Sequence, residues 1–203
     1  MKTRTKLVLA IVTAIALIGA WMVASMLRHG LSARDQPTAL EAVLARSMRL
    51  LAMPRSARTA KNPVPLNDEP VSEGRGHFAD HCALCHGNDG AGRTQIGQNL
   101  YPKAPDMRSA QTQSLSDGEI FYIIKNGIRL TGMPAWGADT PEGDRETWLL
   151  VHFIRHLPQI TADEMEQMRS LNPRSPRESA EEDEETDFLE GKDVPAPIQE
   201  HHH

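Results

Sequence analysis

The 203-residue chain contains only two cysteines, which excludes a disulfide-stapled scaffold and any four-cysteine zinc or iron–sulfur site. It also lacks a basic excess. The formal net charge is -5, whereas nucleic-acid binders usually carry a clear positive balance. No segment shows a convincing strand alternation. Charge is unevenly spread as well: residues 1–177 hold 21 Lys/Arg against 17 Asp/Glu, a balance of +4, and residues 178–203 hold one lysine against ten acids, a balance of -9. The acidity belongs to the tail. From Leu7 to Leu27 there is no charge at all.

That uncharged run divides the chain into regions. Residues 1–30 read as an N-terminal transmembrane anchor, because 21 uncharged residues reach roughly 30 Å as a helix, one bilayer core. A cleaved signal peptide competes with this reading, but the run exceeds the usual length of a signal's apolar region. Basic residues stand on both sides (Lys2, Arg4 and Lys6 before; Arg28, Arg34 and Arg46 after), so charge alone leaves the orientation open. Residues 31–70 read as an amphipathic helix followed by a linker. Leu40, Val43, Leu44, Met48 and Leu51 recur at helical spacing, with Arg46 and Arg49 elsewhere on the surface. Such a helix either lies on anionic lipid or packs against a protein surface. Three prolines between Arg55 and Pro70 suggest linker.

Residues 71–160 carry the only pattern of a compact domain. Ser72 is placed to cap a helix from Glu73 to about Leu84, and Ser116 with Glu119 forms a capping box ahead of Ile120, Phe121, Ile123 and Ile124. A third helix starts near Pro141 and runs through Trp148 and Ile154 toward Pro158. Between the first two lies an irregular Gly/Pro-containing stretch, Gly87 to Ser114. Three short helices and so long a loop need something large at their centre. Residues 161–203 read as an acidic, disordered tail, with eight acids and no base from Glu178 to Glu190. It ends in His201–His203, either remnants of a tag or a native metal-binding end.

Cys82-Ala83-Leu84-Cys85-His86 is C-x-x-C-H, the attachment sequence of c-type haem. Two thiols one helical turn apart reach the two vinyl groups on one edge of the porphyrin, and the imidazole that follows comes to lie beneath the iron. A redox dithiol would need a βαβ context that is missing. A zinc site from Cys82, Cys85, His86 and His77 or His81 satisfies the ligand count but leaves the long loop without an organiser. An electron-carrying haem iron takes a sixth ligand. Of nine methionines, Met107 and Met133 alone lie inside the domain. Met133 sits in the loop Gly132-Met133-Pro134-Ala135-Trp136-Gly137, where glycine permits close backbone approach, and is preferred to Met107. Trp136 and Tyr101 either border the haem or pack. His77, His81, His152 and His156 read as surface histidines.

The helix ending in CALCH, the GNDGAG turn, the LSDGEIFYIIKNGI helix, the GMPAWG loop and the closing WLLVHFIRHL helix together resemble a class I c-type cytochrome over residues 72–157. The resemblance implies an all-α, cytochrome c-like helical domain around one covalently bound haem c. Cys82 and Cys85 would form its thioethers, and His86 and Met133 would be the proximal and distal axial ligands of the iron. It also implies a proline carbonyl accepting the proximal imidazole's Nδ1–H, with Pro102 and Pro105 both eligible. The function expected is single-electron transfer by a membrane-tethered monohaem carrier rather than an enzyme. Its partners would be a redox donor and an acceptor on the periplasmic side of a bacterial cytoplasmic membrane. Two alternatives stand beside it: a subunit of a larger respiratory or oxidoreductase complex, and a haem enzyme or gas sensor with a displaceable Met133.

Overall fold

The computed structural model describes residues 2–29 and 32–174, with Thr186 and Leu189 beyond them. Most of the acidic tail and His201–His203 therefore lie outside the described residues. Among those described there are helices and no strands, as the missing alternation predicts. Helix α1 (Lys2–His29) is the uncharged run extended at both ends. Within it Thr3–Ser25, 23 residues, is long and apolar enough to cross a membrane. Its large apolar side chains from Leu7 to Val23 are exposed, Trp21 included.

Helix α2 (Ala39–Ala52) begins at a capping box in which the Thr38 hydroxyl accepts from the Glu41 amide and the Glu41 carboxylate accepts from the Thr38 amide. Its apolar stripe, Leu40, Val43, Leu44, Met48 and Leu51, faces solvent. The half-buried face is instead the one bearing Ala42 and Arg49, and the chain leaves the helix at buried Met53. The expectation that Arg49 lies on the outer surface is thus reversed.

The segment read as linker is packed. Helix α3 (Arg55–Thr59) lies against helix α8 (Asp117–Asn126). The Ser116 hydroxyl donates to the Arg58 carbonyl at 2.8 Å. At Gly118 an added Cβ would fall 1.9 Å from the Ala57 oxygen, so the two backbones touch. Further on, the Asn62 amide donates to the Trp148 carbonyl at 2.9 Å, and the Val64 carbonyl lies 2.8 Å from His152 Nε2. The prolines made this strap extended and rigid, which lets it lie along the domain rather than swing.

Helix α4 (Asp68–His77) starts earlier than expected. Asn67 caps it by accepting from the Glu69 amide, and Ser72 sits inside the helix. It runs on through a π-helical turn, Phe78–Cys82, into α5 (Ala83–His86), so the C-x-x-C-H pentad occupies its C-terminal end. Such turns often mark functional sites. Gly87, at φ 73, stops the helix. Helix α9 (Pro141–His156) crosses α4 at Gly74, where an added Cβ would meet the Leu149 oxygen at 2.2 Å. That closeness brings Phe78 and Phe153, both fully buried, to 5.1 Å between ring centroids.

Two short helices, α6 (Gln95–Gln98) and α7 (Ala110–Gln113), interrupt the long loop. Helix α10 (Ala162–Arg169) follows α9 after a single 3₁₀ turn, Leu157–Gln159. The early part of the expected tail is therefore folded. Met168 is fully buried, and the Asn172 side chain donates to the Ala79 carbonyl at 2.8 Å. A capping box at Thr161 and Glu164 explains why this acidic stretch is helical. The same Glu164 carboxylate meets His156 Nε2 at 2.8 Å and Arg75 at 3.3 Å. With His152 buried against Val64, the two α9 histidines are structural side chains rather than a solvent-facing pair.

Candidate haem site

The end of α4–α5, the following loop, α8 and the loop after α8 enclose a cavity of about 180 Å³. Cys82, Cys85 and His86 all line it, and so does Met133. The structure thus brings the four residues expected from the sequence to one place. Most of the remaining wall is apolar, from Leu115, Ile120, Ile124, Leu150 and Ile154 among others. It is the large centre that three short helices needed.

The loop from Gly87 folds back on the pentad through its own backbone. The Gly92 amide donates to the His86 carbonyl at 2.7 Å, and the Met107 amide donates to the Gly90 carbonyl at 2.8 Å. Thr94 donates its hydroxyl to the Cys85 carbonyl at 3.0 Å. Gly97 lies so near that an added Cβ would be 2.1 Å from the Cys85 oxygen. Residues 104–107 are thereby laid beside His86, which is 7% exposed. Its Nδ1 is buried and faces the Pro105 carbonyl without closing a hydrogen bond of good geometry. Nε2, also without a hydrogen-bond partner, is left to the cavity that the ring lines. Burial pushes the imidazole's pKa down, against the opposing pull of the Pro105 carbonyl. The ring is therefore held neutral, as a metal ligand must be. Of the two eligible prolines it is Pro105, not Pro102, that faces this nitrogen.

Asp106 steadies this wall. Its carboxylate accepts from Arg108 Nε at 3.0 Å and from a terminal guanidinium nitrogen at 2.8 Å, and Arg108 reaches Asp89 at 3.6 Å. The Arg108 hydrogen bonds hold the Asp106 carboxyl below its ordinary value. A carboxyl depressed in the fold stabilises it at pH values above the ordinary carboxylate range, and the gain disappears as pH falls through the native value. The pair is part-exposed, so Asp106→Asn is expected to cost no more than about 1 kcal/mol at neutral pH. Denaturant titrations of the two proteins should converge once the solution is acid enough to protonate Asp106.

On the far side, Met133 is held through its backbone. Its amide donates to the Thr131 hydroxyl at 3.1 Å and its carbonyl accepts from the Ile128 amide at 3.0 Å. Gly127, at φ 65, ends α8 beneath this loop, with no room for a Cβ beside Pro134 and Ala135. Met107 lines the same cavity but differs in its packing: it is 9% exposed and belongs to the core cluster. Trp136 remains 43% exposed and stacks on His81 with ring centroids 5.3 Å apart. Tyr101 turns away, donating its hydroxyl to Glu41 of α2 at 2.5 Å.

The thiols test the competing readings. Neither cysteine is in a disulfide. Burial, with a smaller contribution from Cys85, pushes the Cys82 thiol up to about 12, and burial raises Cys85 as well. A redox dithiol reacts as the thiolate, which this apolar wall disfavours. No group of three or more His, Cys, Asp or Glu side chains converges on a metal position among the described residues. Two protonated thiols and a neutral imidazole edging a broad apolar cavity fit a porphyrin.

The site is that of a cytochrome c domain within the chain, and the cofactor such a domain carries is covalently bound haem c. Residues 69–154 match the family model described as "Cytochrome C oxidase, cbb3-type, subunit III". No curated protein matches the chain. The domain is one for haem-based electron transfer.

One residue at the site escaped sequence reading. Arg49, from α2, lines the cavity beside Cys82 and His86. Its only signal in the sequence was a helical period that pointed the other way.

Proposed function

We propose that the chain is a membrane-tethered monohaem cytochrome that carries single electrons between redox partners on the outer face of a cytoplasmic membrane. The observation that carries this reading is the convergence of Cys82, Cys85, His86 and Met133 on one apolar cavity. In it Cys82 and Cys85 would hold the porphyrin by thioethers, and His86 and Met133 would bind its iron. The haem supplies a one-electron couple, which imidazole–thioether ligation poises at high potential.

The protein's own part is to hold and shield. The loop of residues 87–107 fixes the His86 ring plane, and the buried face of α9 keeps water from the cavity floor. Trp136 and His81 form an exposed aromatic pair at the cavity's edge, on the side where an electron can enter or leave. Tethering by Thr3–Ser25 would confine the carrier to two dimensions. With residues 55–66 packed on the domain, the prolines do not form a free hinge. Residues 71–160, with the α3 strap and α10 added, make up the folding unit in this reading.

A role within a larger oxidase complex is the second reading, favoured by the oxidase-subunit description of the matching family. A gas-binding or peroxide-using haem is disfavoured by the pinned backbone on both sides of Met133. Carbon monoxide added to the ferrous protein tests the carrier reading. The visible spectrum is expected to stay unchanged, and prompt formation of a carbonyl adduct would refute six-coordinate electron transfer.

A further inference from the structure

Arg49 presents an anomaly of its own. Its Nε is fully buried with no hydrogen-bond partner, one of only two such side-chain atoms among the described residues. The other is His86 Nδ1, on the same cavity. A guanidinium N–H left unsatisfied carries the full desolvation cost of a charged donor. Arg46, one turn earlier, avoids that cost by donating its Nε to the Ala42 carbonyl at 3.1 Å. Arg49 forgoes the same option and reaches into the cavity instead.

The charged and titratable groups around it do not resolve the anomaly. Glu119 on α8 is the nearest opposite charge and acts on Arg49 only at a distance. No ion pair joins them, and the Glu119 carboxylate already accepts from the Ser116 amide at 2.8 Å. Arg46 is a like charge, Lys103 and His81 on the cavity wall are bases, and Glu41 is taken by Tyr101. Burial lowers the Arg49 pKa, with Glu119 opposing and Arg46 adding to the effect.

We infer that Arg49 pairs with a carboxylate of the porphyrin held in this cavity, so that the cofactor itself clasps α2 to the cytochrome domain. This rests on the reading of the cavity as the haem site. A porphyrin of the haem type bears two propionate groups, and a guanidinium fork matches a carboxylate two bonds at a time. Besides buried Met53 at its end, α2 meets the domain through half-buried Ala42 and Arg49 and through the Glu41–Tyr101 bond. The helix just beyond the membrane span is thus coupled to the redox site by one charged side chain outside the matched segment, residues 69–154.

The test uses full-length holoprotein in detergent. In Arg49→Gln, the midpoint potential is expected to fall, because an uncompensated propionate stabilises ferric iron. It should also acquire a rise with acidification as that carboxylate becomes protonated. The α2 backbone amides should exchange with deuterium faster than in wild type. Arg49→Lys should recover most of the potential. Glu119→Gln, whose amide still caps α8, should leave α2 protection intact.

An Arg49→Gln protein with wild-type potential, pH profile and α2 protection would overturn the clasp. So would a Glu119→Gln protein that loses α2 protection as Arg49→Gln does. If wild type holds no covalent haem, the functional reading itself fails. If haem is present and Arg49→Gln changes nothing, only the clasp fails.

Discussion

Met133→Ala is expected to abolish the absorption band of a thioether bound to ferric haem and to lower the midpoint potential sharply, with the haem still covalently attached. The size follows from ligand chemistry. Axial ligation and its surroundings spread haem potentials over roughly 0.8 V, and methionine–histidine pairs stand toward the high end. Losing the thioether should move the couple down by a substantial fraction of that range. The loop should survive, because bonds from the Thr131 hydroxyl and the Ile128 amide hold the Met133 backbone. The Trp136 amide donates to the Ile124 carbonyl at 3.0 Å and anchors the loop's far end. Little stability is therefore at stake, and spectrum and potential report the ligand alone. Met107→Ala provides the contrast. That side chain is packed in the core, so its truncation should cost about 2–5 kcal/mol while the band persists.

Gly74→Val is expected to be strongly destabilising although it touches no ligand. At this crossing the neighbour of an added Cβ is the Leu149 carbonyl at 2.2 Å, with Phe153 Cβ at 3.1 Å. A backbone oxygen inside a helix cannot turn aside as a side-chain tip does. The two helices must separate, and Phe78 and Phe153 would lose their fully buried packing. Overpacking ordinarily costs about 1–3 kcal/mol, and a backbone clash at a helix crossing belongs at or above the top of that range. Small domains have only about 5–15 kcal/mol in total. A lowered denaturation midpoint and a reduced yield of haem-bearing protein would be measured. Gly76, two residues on, has nothing within 4 Å of an added Cβ, so Gly76→Ala should behave as wild type.

The chemistry of this chain was more legible in its sequence than its packing. C-x-x-C-H depends on local spacing, and a helix end places its three side chains whatever surrounds them. The Ser116–Glu119 capping box and the Pro141 helix start are local signals too, and the structure contains both. Errors arose where distant partners decide. The prolines of residues 55–70 suggested a free linker because composition does not record that Gly118 leaves room for the Ala57 carbonyl. Acidic residues after Thr161 suggested disorder because composition does not record that Met168 docks α10. Helix α2 is the clearest case. Its period is correct, but the rule that apolar faces turn inward failed. The inward face carries Arg49, and the apolar stripe stays free for a membrane or a partner.

These differences alter the function read from the chain. A flexible tether at the prolines would let the domain swing between partners. The packed strap removes that freedom at the prolines, and Arg49 brings α2 to the cavity wall.

Covalent haem at one position, titrating with one electron, is the central claim. Alkaline pyridine treatment of the purified protein after acid–acetone extraction, followed by spectroelectrochemical titration, tests it most directly. The account predicts one haem c per chain that resists extraction, disappears in the Cys82→Ser/Cys85→Ser double variant, and titrates as a single one-electron couple. A protein that gives up its haem to acid–acetone, or that binds zinc through Cys82 and Cys85 in its place, would contradict it.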